Sequence, residues 1–199
     1  MMKRRVARLS PLITLIGITF IHHSICTVMA DETGIVAYDS SKFDPIPMSG
    51  NLPLFSVKDQ RPTKQTLFYV KKRNFIPPEI YFRDGLQDSI EHSSSVIQDD
   101  GRELRFIIKD FRVGFEKKQM RYGGFGELTS TIEIDILIND KEKTTDIGNY
   151  KSVYFNNVSR NEPGTATSDI QNVLDNNLNK ILKKIFTDNN FNEIVMKNP

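Results

Sequence analysis

Cysteine occurs once in this sequence, at Cys26, and histidine three times, at His22, His23 and His92. A single cysteine leaves no internal disulfide, so a stable fold has to come from packing. If an N-terminal segment is removed after Ala30, the product keeps only His92 and no cysteine. Zinc sites built from several Cys or His ligands are then excluded, and so is a cysteine nucleophile. A Ser-His-Asp arrangement would have to recruit His92 at a helix end, with Ser94 or Ser95 too near in sequence to serve as a built nucleophile. Long hydrophobic runs are missing as well. The apolar stretch 12–21 is about ten residues, whereas a transmembrane helix needs roughly 20, and His22 and His23 interrupt any continuation.

What is present at the N-terminus is an export signal: a basic start (Lys3, Arg4, Arg5, Arg8), the short apolar stretch, and a polar segment ending in Val28-Met29-Ala30. The reading is a signal peptide over residues 1–30, cleaved before Asp31. Lipidation at Cys26 is the alternative. A lipoprotein signal wants small residues directly before its cysteine, and here His23-Ser24-Ile25 precede it. Removing residues 1–30 takes four basic residues and no acidic one, which turns the formal charge of +2 into about −2. A basic pI of 8.6 therefore reports the targeting segment in part and says little about affinity for nucleic acid.

Residues 31–50 mix Gly, Pro, Ser and Asp without a sustained period and read as a leader or tether, or else as an extension of the domain. Residues 51–199 read as one domain. Within it, 52–57 is a short apolar strand closed by Asp59-Gln60-Arg61-Pro62, and 66–70 is a second extended piece. Pro77-Pro78 starts a helix that runs to His92, with Phe82, Leu86 and Ile90 along one stripe. In 103–115 the apolar set Leu104, Phe106, Ile108 changes phase to Phe111, Val113, Phe115, which predicts a bulge near Lys109-Asp110. Ile132, Ile134, Ile136 and Ile138 alternate with more polar neighbours, and 144–155 returns as a third strand of an antiparallel meander. A helix over 168–186 carries an apolar stripe from Ile170 to Phe186, with Ser168 and Gln171 in capping-box spacing and Asn177 at the stripe's margin. A short helix, 190–196, follows. The fold class is α+β: a mainly antiparallel sheet with two amphipathic helices packed on one face.

Several motifs fail on inspection. Asp84 and Asp88 share a helix face and Asp99-Asp100 sit in a loop, but like charges on a solvated surface are ordinary. Asp188-x-Asn190-x-Asn192 starts like a calcium loop, yet Glu193 stands where glycine is required. Gly123-Gly124-x-Gly126 lies between two strands and reads as a hairpin loop rather than a phosphate cradle. No catalytic, cofactor or metal residues are assigned.

Lys71-Lys72-Arg73 beside Phe68, Tyr69 and Phe75 could neutralise and stack on a nucleic-acid strand, but export argues against that partner. A solvated loop fits best, and as partners a lipid headgroup, an anionic glycan or a protein fit better than nucleic acid; for a protein partner Phe68, Tyr69 and Arg73 are the binding candidates, because aromatics and arginine most often dominate interface energy. Asp59 and Arg61 read first as a turn with local pairing and second as part of the same partner surface.

A strand ending in Asp59-x-Arg61, a helix, then Leu104-Arg105-Phe106-Ile107-Ile108-Lys109-Asp110-Phe111, then Tyr122 before an alternating strand, and a C-terminal amphipathic helix followed by Asn192-Glu193-Ile194 together resemble the YajG-like family of bacterial envelope lipoproteins, over residues 51–196. The resemblance implies a periplasmic domain, usually lipid-anchored and without an assigned chemistry. The weak context of Cys26 departs from that pattern. The functional expectation is a non-enzymatic, exported envelope accessory or assembly protein of the periplasm, outer-membrane associated if lipidated, whose partners are other envelope proteins, alone or within a multiprotein assembly. It would touch the membrane only through a lipid on Cys26 or a retained signal. The alternative is a small-molecule or lipid carrier with a cavity between helices and sheet.

Overall fold

A computed structural model describes residues 35–42, 46, 48–64, 67–68, 74–120, 123–158 and 167–196. Cys26, Tyr69 and Arg73 lie outside these residues, and so does the signal segment.

Seven strands and three helices follow one another as β1 (Ile35–Val36), β2 (Ser49–Asp59), β3 (Leu67–Phe68), β4 (Asn74–Phe75), α1 (Pro78–Glu91), β5 (Ser94–Met120), β6 (Gly123–Asn139), β7 (Thr144–Val158), α2 (Thr167–Phe186) and α3 (Asn189–Val195) among the described residues. The main sheet has the order β2-β5-β6-β7, and β3 adds to β5 beyond the end of β2. The meander β5-β6-β7 is antiparallel. β2 and β3 run parallel to β5, so α1 lies in a β2-α1-β5 crossover. The α+β fold class therefore holds, with a parallel edge added to the antiparallel core.

The phase change in β5 is a bulge: the register to β6 shifts between Ile108 and Asp110, so Ile108 and Phe111 both face the core. β5 is far longer than the periodic stretch 103–115. Residues 94–98 pair with the start of β2, and the four residues Asp99 to Arg102 are looped out between Gln98 and Glu103. Gly101 takes φ +82 there, and Asp99 and Asp100 accept the backbone N–H groups of Gly101 and Arg102 at 3.2 and 2.9 Å. The glycines 123–126 belong to β6 rather than to a hairpin loop. A Cβ on Gly126 would lie 2.2 Å from Cε2 of Phe115, whose ring covers it.

Pro78 opens α1 at the position where a missing N–H costs nothing, and Phe82, Leu86 and Ile90 are all buried. α2 lays its stripe on β6 and β7: Ile170, Val173, Leu174, Leu178, Ile181, Leu182 and Ile185 are fully buried, as are Ile132, Ile134 and Ile136 opposite. Two details differ from expectation. Ser168 stands inside the first turn of α2 instead of capping it. Asn177 is not marginal but wholly buried, donating to Ser130 Oγ at 2.9 Å and the Ser152 carbonyl at 3.4 Å. Small serines on β6 and β7 leave the room and the partners for an amide. Asp188, the first residue of the rejected calcium pattern, caps α3 by accepting the N–H groups of Asn190 and Phe191 at 2.7 and 3.3 Å.

Residues 35–42, inside the stretch 31–50, lie against the domain. β1 pairs with β4, Val36 is fully buried, and Tyr38 donates to Asp88 Oδ2 at 2.8 Å. Ile46 and Met48 are buried too.

Candidate functional site

The Asp59-x-Arg61 turn is built inward. Arg61 is buried, with its Nε and Nη2 each 2.9 Å from Asp59 carboxylate oxygens, and its Nη1 donates to the Phe111 carbonyl at 2.8 Å. β2 ends at Asp59 opposite Ile108, and β3 resumes the pairing at Val113. The Phe111 carbonyl falls in the gap between them, and the guanidinium takes the place of the missing strand. Lys64 closes the turn over the Asp59 carbonyl at 2.9 Å. Burial opposes ionisation of Asp59, but the bonds from Arg61 and Lys64 outweigh it and hold the carboxyl at about 2.

A second polar cluster lies where α1, α2 and residues 35–42 meet. The Tyr81 hydroxyl donates to Asp175 Oδ1, and both side chains are about 1 % exposed. Asp175 Oδ2 has no hydrogen-bond partner among the described residues. Burial pushes the Asp175 carboxyl up to about 7, against the Tyr81 hydrogen bond and the positive charge of Lys42, which lower it. Burial likewise raises Tyr81 and Tyr38 well above the usual tyrosine range. Asp88, one of the two α1 carboxylates considered for acid-base work, accepts the Tyr38 hydroxyl and lies 3.4 Å from His92 Nδ1. Among the described residues no three His, Cys, Asp or Glu side chains are placed to hold a metal ion.

The face of the sheet away from the helices carries ion pairs: Arg112–Asp110 at 3.0 Å, Lys151–Glu133 at 2.8 Å and Lys109–Asp135 at 3.4 Å. At its β7 margin this face turns apolar, with Val153 43 % and Phe155 62 % exposed. Phe68, Gly114, Thr129 and Phe155 occupy one register line across β3, β5, β6 and β7. With strands about 4.8 Å apart, β3 and β7 are roughly 14 Å apart along that line. A Cβ on Gly114 would find only the Thr129 carbonyl, at 4.0 Å, so the line is shallow in its middle. Phe68 of β3 stands at one end of the line, and Phe155 of β7 stands at the other.

Among the described residues, β7 pairs on one side only. Its outer carbonyls are met by side chains of α2 and α3: Lys184 Nζ at 3.3 Å from the Lys151 oxygen, Lys180 Nζ at 3.0 Å from that of Val153, and Asn190 Nδ2 at 2.8 Å from that of Ile147. The sequence pointed to the loop candidates by residue type. It gave no signal for Val153 and Phe155, because alternation in β7 does not say which face is covered.

No family model matches the sequence, and no curated protein matches it. Among solved structures, the chain is similar to a Xanthomonas campestris protein of family DUF330, with 9 % identity, 76 % of this chain and 94 % of that one covered, and a TM-score of 0.49. It is similar to a minor lipoprotein from Acinetobacter baumannii at 9 % identity, covering 72 % and 96 %, with a TM-score of 0.43. A Helicobacter pylori chain described as a neuraminyllactose-binding hemagglutinin homolog shows 13 % identity over 79 % and 95 %, with a TM-score of 0.34. No helix among the described residues is long and apolar enough to cross a membrane.

Proposed function

We propose that this is a non-enzymatic, exported envelope protein that works by binding another envelope protein across the register line from the loop 64–75 to β7. The observation that carries the reading is the pair Val153 and Phe155, large apolar side chains left exposed beside one another on a strand that pairs on one side only among the described residues. Phe68 of β3 stands at the other end of the line, Tyr69 and Arg73 follow it in sequence as further binding candidates, and Asp59 and Arg61 anchor the turn that precedes β3. α1 approaches α2 so closely that a Cβ on Gly85 would sit 2.5 Å from Leu178 Cδ2.

The test compares Phe155→Asp and Arg73→Glu with wild type for thermal stability and for partners recovered after crosslinking in the envelope. Unchanged melting with lost partners is expected, since Phe155 is exposed and Arg73→Glu changes charge without removing apolar packing. Full recovery of the same partners by both variants would overturn the proposal.

A further inference from the structure

Among the described residues, the outer edge of β7 is guarded by charge instead of backbone. Lys180 and Lys184 are exposed lysines of α2 whose ammonium groups stand on the Val153 and Lys151 carbonyls, the positions at which another strand would place its N–H groups. A long lysine side chain is readily displaced by a backbone donor, but the displaced ammonium then needs a counter-charge. The two sides of the edge are chemically unlike. Val153 and Phe155 rise on the face away from the helices, whereas the lysines reach the edge from the helix side. The nearby carboxylates are already engaged, Glu133 with Lys151 and Asp188 in capping α3. A second copy of this chain would bring Lys180 and Lys184 against their own equivalents, so self-pairing is opposed by like charge.

Resting on the protein-binding reading above, we infer that the partner adds an extended segment to β7 in which apolar residues alternate with acidic ones. The apolar set covers Val153 and Phe155. The acidic set, one residue out of phase, faces Lys180 and Lys184. Period-two alternation is what sends the two sets to opposite faces of an added strand.

A photo-crosslinking residue placed at position 155, and separately at 69 and 73, of the full chain in its own cells gives the partner segment by mass spectrometry of the crosslinked peptides. That segment is then synthesised and its affinity for the purified full-length protein measured. The expected segment alternates apolar and acidic residues, binds less tightly as salt is raised, and loses roughly tenfold or more in affinity to the double variant Lys180→Glu/Lys184→Glu. The variant's melting temperature, compared with wild type, separates lost binding from lost folding, and Lys180→Gln/Lys184→Gln should fall between. A segment without acidic alternation, indifference to the charge reversal, or a crosslink to a second copy of this chain would each overturn the inference while leaving the protein-binding reading intact. Crosslinks from 69 or 73 but none from 155 would do the same. Absence of any protein crosslink from all three positions would remove both.

Discussion

Single buried groups set the chemistry of this molecule's interior. Asp175 is a carboxylate on the apolar stripe of α2 whose Oδ1 accepts the Tyr81 hydroxyl. Burial holds its folded pKa near 7, above the roughly 4 of an unfolded aspartate. The folded state thus binds this proton more tightly than the unfolded state. Its contribution favours folding fully below about pH 4, declines as pH rises, and leaves the whole cost of a buried charge above about pH 7. Asp175→Asn should flatten the stability profile between about pH 4 and 7 and make the domain more stable than wild type at pH 8. Urea unfolding across that range measures it, and a variant as steeply pH-dependent as wild type would place the titration elsewhere.

At the scale of elements, helix α2 does the covering. Ile181 is fully buried against β6 and β7, so Ile181→Ala should cost about 2 to 5 kcal/mol in chemical denaturation; a loss below about 1 kcal/mol would contradict the packing described. This stripe, the α1 stripe and the bulge near Lys109-Asp110 were legible in the sequence because each is a local period and needs no knowledge of what lies opposite. The parallel pairing of β2 with β5 was not legible, since Leu52 and Val57 read the same in either direction. Nor was the burial of Asn177. Its place depends on Ser130 and Ser152, 47 and 25 positions away, happening to be small and polar beneath it. The proposed partner surface was legible only in part. Residue type pointed to the loop 64–75, but the exposure of Phe155 is a property of the assembled sheet.

For the molecule as a whole, residues 35–42 decide where the domain begins. They bring the buried Val36, the near-buried Ala37 and the Tyr38 bond to Asp88 onto the meeting point of α1 and α2. A chain starting at residue 43 should lose about 2 to 4 kcal/mol of stability relative to one starting at residue 31, from the two apolar side chains and one hydrogen bond removed. Equal denaturation midpoints would show that the segment is a tether resting on the surface.

The parallel edge of the sheet has a consequence for biogenesis. A polypeptide made from its N-terminus presents β2 well before β5, its only ladder partner among the described residues, has emerged. During that delay the apolar stretch around Leu52 and Val57 is a sticky extended segment in a crowded compartment. Pro53 in its middle lacks the N–H that a ladder uses, which makes the segment a poor template for a stray strand. Pro53 also stands where the register of β2 against β5 shifts, so the middle of the strand is the part least suited to template a stray ladder.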